Sequence, residues 1–250
     1  MASPLLDGPR IAPRSGAAQQ LVVLLHGYGA DGKDLIEIGR QWQRLLPQAA
    51  FVAPHAPERM PMSPVGRQWF PLTMRDTAER WRGVIQARPA LDAFLDAELA
   101  RHGLEASALA LVGFSQGTMM ALHAGLRRAE APAAILGYSG LLVLDPGKGK
   151  AGSEAAAADL AAEATARPAI LLVHGEADDL IPATALFESA EMLARAGLPC
   201  EWHLSLGIGH GIDGEGLRQG GEFVAWALRE GRRRTTEDRG GQGSRPRAQS

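Results

Sequence analysis

The chain has a single cysteine, Cys200, in 250 residues, which excludes an intramolecular disulfide framework and any metal site built from clustered thiolates. An excess of one charge is missing as well. Lys and Arg number 26 against 28 Asp and Glu, for a net charge of -2, so no broad basic surface is expected for nucleic acid. The apolar runs LVVLL (21–25) and AILLV (169–173) are five residues each, far short of the roughly 20 that a membrane-spanning helix needs. The opening MASPLLDGPRIAPRSG lacks the basic start and apolar stretch of a secretory signal. No membrane span and no export are expected, and the cytoplasm is the simplest location. HExxH, HxxEH and EF-hand patterns do not occur, so the sequence leads us to expect no metal and no cofactor.

What is present describes a globular chain. Hydrophobic residues make up 46% and charged residues 22%, enough for a sizeable core, and the length fits one large α/β domain. The last twenty residues, 231–250, hold six Arg, one Glu, one Asp and no large apolar side chain. They read as a disordered basic tail, which leaves a body over residues 1–230 with 20 basic and 26 acidic residues.

Within that body, short apolar runs alternate with helical spacing. The run 21–25 is followed by Leu35, Ile38, Trp42, Leu45 and Leu46 at helical intervals, closed by Pro47. After 49–53 comes a Pro-rich stretch to Pro71, then a helix expected to open at Pro89, with Leu91, Phe94, Leu95 and Leu99 on one face and Gly103 at its end. Strands are expected at 109–112, 133–138 and 170–174, with helices starting near Gln116 and near Glu154. Residues 145–167 read as a loop plus a weak Ala-rich helix. A helix from Ala183 ends at Gly197, a strand follows in which Cys200, Trp202, Leu204 and Leu206 alternate with polar residues, and a last helix carries Leu217, Val224 and Leu228. The alternating strand near 200–206 suits a sheet edge. Purely apolar runs suit strands buried on both faces, and the βα repetition favours a mostly parallel sheet with helices on both faces.

The sharpest chemical signal is GFSQG at 113–117, directly after one expected strand and directly before a helix. By chance about 0.16 GxSxG matches would arise at this composition, so the strand-turn-helix setting carries most of the weight. Such a turn forces the serine backbone into a strained conformation, which the flanking glycines make possible by letting strand and helix approach. Ser115 would then stand alone at the start of a helix whose dipole favours nearby negative charge. A serine hydroxyl needs a base, and His210, in the loop GIGHG after the last strand, is in the right place. His102, His123, His203 and His55 have ordinary structural readings, and His26 and His174 end strands where they could fix loops by hydrogen bonding. The orienting acid falls in HGEADDLIP (174–182): Asp178 is the choice, with Asp179 as the alternative. Asp213 reads as a helix cap. The stretch GYGADG (27–32) is a literal GxGxxG and keeps a dinucleotide-binding module open as a rival. The acidic residue such a site needs at the end of the second strand is missing, where the chain reads FVAPH. In a hydrolase the same loop would aim the N–H of Tyr28 at Ser115, to form an oxyanion hole with that of Gln116.

With LLHGYGADGKDL, GFSQGTMMAL, HGEADDLIP and GIGHGID in this order, the chain resembles the phospholipase/carboxylesterase family of α/β-hydrolases, which includes the acyl-protein thioesterases. The resemblance covers roughly residues 8–230. It implies the α/β-hydrolase fold, with Ser115 as nucleophile, Asp178 as acid, His210 as base and the amides of Tyr28 and Gln116 as oxyanion donors. The segment GRQWFPL (66–72) looks like the family's hairpin beside the acyl pocket, where Trp69 either lines the pocket or packs in the core. Thr118 in place of a further glycine, Asp179 in place of a common proline and a long 145–167 segment point to the bacterial carboxylesterase branch. The expected activity is hydrolysis of small carboxylic esters with short to medium acyl chains. Thioester or lysophospholipid hydrolysis is the alternative within the family, and a homodimer is compatible with the sequence.

Overall fold

The computed structural model describes residues 6–241 except 62, 64, 74, 75, 150 and 151, and for residues 77 and 234–241 it describes the backbone alone. Strands lie at Arg10–Ile11 (β1), Gln20–Leu25 (β2), Ala49–Val52 (β3), Glu58–Arg59 (β4), Arg67–Gln68 (β5), Leu109–Phe114 (β6), Ala134–Tyr138 (β7), Ala169–Gly175 (β8) and Glu201–Ser205 (β9). The α-helices are Gly32–Trp42 (α1), Thr77–His102 (α2), Gln116–Leu126 (α3), Glu154–Glu163 (α4), Thr184–Arg195 (α5) and Gly214–Gly241 (α6).

Seven strands form one sheet in the order β1-β3-β2-β6-β7-β8-β9, parallel throughout except for β1, which runs antiparallel to β3. Alternation along the strands explains why their sequences are apolar without a break. In β2, Leu21, Val23 and Leu25 join Leu111, Ile135 and Leu172 in a core shared with α2, α3, α4 and α5. Val22 and Leu24 point the other way, into a core with Val112, Leu136, Val173, Trp42 and Val224 beneath α1 and α6. Both faces are covered, so neither parity of side chain can be polar. β9, whose sequence alternates, is one edge strand, and β1 is the other.

Three boundaries differ from the sequence reading. Helix α2 starts a full twelve residues before Pro89, capped by the Asp76 carboxylate on the amide of Ala78. Pro89 removes one helical donor, but its position is exposed and the carbonyl left unpaired, that of Ile85, also lies on the wet side of the helix. Burial of Val84, Ala87, Leu91, Phe94 and Leu95 on the other face carries the helix through. Helix α1 stops at Trp42, before Leu45 and Leu46; Leu46 is buried from the turn that follows, and Leu45 is exposed. Helix α6 continues past Gly231, where the sequence reading begins a tail, to Gly241. Gly231 is pressed on the carbonyl of Ser107, where a Cβ would come within 2.4 Å, and no proline interrupts the Arg-rich turns that follow. Residues 242–250 of the expected tail lie outside the described residues.

The two-residue strands β1, β4 and β5 leave no periodic signal in the sequence. Side-chain bonds hold them in place. Arg10 of β1 reaches the buried carboxylate of Glu98 on α2 at 2.8 and 3.2 Å, and Gln68 of β5 donates to Glu58 of β4 at 2.9 Å.

Candidate active site

Ser115, Gln116, Asp178, His210 and Tyr28 lie past the carboxyl ends of the parallel strands, where open α/β sheets bind ligands, whereas Trp69 follows β5 of the small antiparallel sheet. Ser115 follows β6 directly and caps α3 with φ +55° and ψ -115°, a conformation that L residues rarely adopt. Two glycines make it possible. A Cβ on Gly113 would meet the backbone of Gly117 and Thr118 at 2.4 Å, and one on Gly117 would meet the carbonyl of Leu25 at 1.8 Å. The turn is fastened to β7, since Tyr138 offers its carbonyl to the amide of Ser115 at 2.9 Å and to the hydroxyl of Thr118 at 2.8 Å. Thr118, one of the departures from the family pattern, therefore has a bonded role in this turn.

Asp178 and His210 come together across 32 residues, with His210 Nδ1 2.8 Å from Asp178 Oδ2. The other carboxylate oxygen, Oδ1, accepts from the amides of Leu180 and Ile181 at 3.0 and 2.9 Å. Burial of this side chain would raise its pKa. The Ile181 amide, the His210 ring and the Leu180 amide outweigh that and hold it below the usual carboxylate range. Asp179 is exposed and takes no part. His174, next to last in β8, has Nε2 2.8 Å from the carbonyl of Ile181 and 3.2 Å from Asp178 Oδ2, so it braces the acid's loop. The His210 loop can cross the end of β8 only because residue 175 is glycine, where a Cβ would strike the carbonyls of Ile208 and Gly209 at 2.4 and 2.3 Å. Phe114, the residue before Ser115, packs its ring against that of His210 at a centroid distance of 5.1 Å. Asp213 accepts from Ser205 and from the amide of Gly216 at the start of α6, as a cap does.

The third strand end brings the HGYG loop. Gly27 lies so close to Ser115 that a Cβ would be 3.2 Å from the serine Cβ, so the HGYG loop passes directly beside the serine turn. Gly29, at φ +82°, donates to the carbonyl of Arg67 at 2.9 Å, and Arg67 donates to Ala30 at 3.0 Å, which fixes the loop on β5. His26, fully buried, accepts the amide of Ala56 on Nε2 at 2.9 Å, so its proton sits on Nδ1 toward Gly27. Burial lowers its pKa and keeps the ring neutral. The structural reading of His26 and His174 is thus the one the hydrogen bonds support.

Sequence reasoning gave Gln116 a backbone role and missed its side chain. That side chain is fully buried, accepts from the amide of Trp69 at 2.9 Å and donates to the carbonyl of Phe70 at 2.7 Å. It locks the segment after β5 onto the first turn of α3. As the first residue of α3, Gln116 also has a backbone N–H with no acceptor within the helix. Trp69 is 1% exposed, and its indole donates to the carbonyl of His26 at 2.9 Å. It is packed beneath the HGYG loop, as the core-packing alternative expects. A cleft of about 710 Å³ is lined by Leu141, Leu142, Val143, Leu144 and Met192 together with the charged Arg80, Asp145, Glu188 and Glu191; its lining begins one residue past Gly140, which abuts the carbonyl of Ser115. Among the described residues there is no group of three or more His, Cys, Asp or Glu placed to hold a metal, and no helix is long and apolar enough to cross a membrane.

Comparison with known proteins places the chain in a family. The model of the family described as Phospholipase/Carboxylesterase matches residues 6–228. The crystal structure of esterase PE8 is 42% identical, covers 88% of this chain and 98% of its own, and superposes with a TM-score of 0.80. Esterase YpfH of Escherichia coli K12 is 27% identical over 201 residues, 80% of each chain. Acyl-protein thioesterase 1 of Gibberella zeae is 26% identical over 233 residues, 86% of this chain and 94% of that one. The chain belongs to the phospholipase/carboxylesterase family of α/β-hydrolases and is a serine hydrolase of the carboxylesterase type.

Proposed function

We propose that the protein hydrolyses carboxylic esters through an acyl-enzyme formed on Ser115. The bond between His210 and Asp178 carries this reading, because it fixes the imidazole with its proton on Nδ1 and leaves Nε2 free to act as base. His210 takes the proton of Ser115, and the serine oxygen attacks the ester carbonyl. The amides of Tyr28 and Gln116 hold the resulting oxyanion. The alcohol leaves with the proton from His210, and a water activated by the same imidazole then releases the acid. Asp178 stabilises the imidazolium without taking its proton. The aliphatic side chains Leu141, Leu142, Val143 and Leu144, which line a cleft beyond Gly140 together with the charged Arg80, Asp145, Glu188 and Glu191, are the candidates to receive the acyl arm.

Short to medium acyl chains are the expected range. Thioester hydrolysis is the second reading, favoured by the likeness to an acyl-protein thioesterase along nearly its whole length. The test is turnover of p-nitrophenyl esters of increasing acyl length, beside acyl thioesters of matching length. A maximum at short chains with poor thioester turnover supports the carboxylesterase reading. A maximum at long chains, or faster thioester cleavage, supports the second reading.

A further inference from the structure

Ser139 belongs to none of the groups assigned to the reaction, yet it touches the loops that carry two of them. It is the first residue after β7 and is fully buried. With φ +44° it is, besides Ser115, the one non-glycine residue of positive φ among the described residues. A side chain in that region crowds the following carbonyl, and glycine would adopt the same backbone freely. A serine that bears the strain implies a use for the hydroxyl.

That use is visible in the bonding. Ser139 Oγ donates to the carbonyl of Gly211, the residue directly after His210, at 3.0 Å, while the Ser139 amide donates to the carbonyl of Val173 at 2.9 Å. The preceding residue, Tyr138, is the one whose carbonyl holds the amide of Ser115. Two consecutive residues thus grip the serine turn with one group and the histidine loop with the next. The loop needs an anchor, since residues 207, 209 and 211 are all glycine and resist bending very little. On its upstream side the Ala177 amide holds the carbonyl of Ile208 at 2.8 Å. On its downstream side the Ser139 hydroxyl does the same for Gly211.

We infer that Ser139 is a positioning residue for the His210 base, holding the imidazole at a fixed distance from Ser115 through the Gly211 carbonyl. The inference rests on the reading of Ser115, Asp178 and His210 as the reacting set.

Ser139→Ala removes the hydroxyl and keeps the strained side chain, whereas Ser139→Gly removes both. A purely structural residue would show its effect in stability, and the glycine variant, relieved of strain, would recover activity. A positioning residue loses rate in both. The expected result is a kcat about tenfold lower in each variant with KM within about twofold of wild type, although Ser139→Gly melts at or above Ser139→Ala. The far-downfield proton resonance of the bond between His210 and Asp178 should broaden in both. Wild-type kcat in Ser139→Gly, or an effect confined to KM, would overturn the inference. Ser115→Ala is assayed alongside: if it retains turnover, the reading of the reacting set fails, and if it is inactive while the Ser139 variants match wild type, only the role of Ser139 fails.

Discussion

Asp178 binds His210 with one carboxylate oxygen, while the other is held by two backbone amides, those of Leu180 and Ile181. Those amides demand an acceptor, so an asparagine at this position must give them its carbonyl and turn its NH2 toward His210. The imidazole would then accept on Nδ1 and carry its proton on Nε2, where it cannot act as base. Asp178→Asn should therefore lower kcat by about 10⁴-fold with the fold intact. Asp179→Asn should stay within about twofold of wild type, because that carboxylate is exposed. Steady-state kinetics with circular dichroism on both variants decides the point, and the reverse pattern would move the acid to Asp179.

Gln116 joins two parts of the site by its side chain alone. Removing it in Gln116→Ala leaves the amide of Trp69 and the carbonyl of Phe70 buried without partners, at about 1–3 kcal/mol for each group. The expected outcome is a lower urea midpoint together with a fall in kcat, because the segment that supports the HGYG loop loses its tie to α3. A variant as stable as wild type would mean that water replaces both bonds.

The glycine at 117 has a steric reason to be there. Gly117→Ala would place a methyl group 1.8 Å from the carbonyl of Leu25, a backbone atom that cannot move without disturbing the middle of the sheet. A loss of about 3 kcal/mol or more is expected by denaturant unfolding. Gly211→Ala, where a Cβ meets nothing within 4 Å, provides the contrast and should fold normally.

A pH effect on stability follows from His123. Burial, followed by the charges of Arg127 and Arg88, pushes its pKa down to about 3, and its Nδ1 has no hydrogen-bond partner among the described residues. Between that value and the ordinary value near 6.5, the unfolded chain binds a proton there that the folded chain does not. Stability from this group is complete above about pH 6.5 and falls as pH drops, with a limiting slope of about 1.4 kcal/mol per unit. His26 shifts in the same direction, so the wild type should show more than one such contribution. His123→Leu should flatten the loss between pH 7 and pH 5 by about 1–2 kcal/mol relative to wild type. Parallel curves for the two proteins would show that His123 titrates alike in both states.

Much of the architecture could be read from runs such as LVVLL and AILLV, because strands buried on both faces leave no room for polar residues. Ser115, Asp178 and His210 could be located because each sits in a short loop directly after a strand, and the structure brings Asp178 and His210 into contact. Other parts left weaker traces. Pro89 marks a helix start only where the preceding carbonyl must stay buried, and here it lies on the exposed face of α2. The strands β1, β4 and β5 are two residues long, too short to show a period-2 alternation, and β1 is set by a partner about forty residues away, β3. The side chain of Gln116 was hidden by the attention its backbone amide draws in a GxSxG turn. Ser139 follows an apolar strand like any other loop residue, and only its positive φ and its bond to Gly211 distinguish it.

The most direct test of the account is covalent trapping at Ser115. A p-nitrophenyl alkylphosphonate, which reacts as an ester but cannot be released by water, should inactivate the protein in a one-to-one ratio, releasing one p-nitrophenolate per chain. Peptide mass mapping should then find the phosphonyl group on Ser115, with Ser115→Ala unmodified and Asp178→Asn reacting far more slowly. An adduct on another residue, or equal labelling of Ser115→Ala, would contradict the central claim that this serine carries the acyl group.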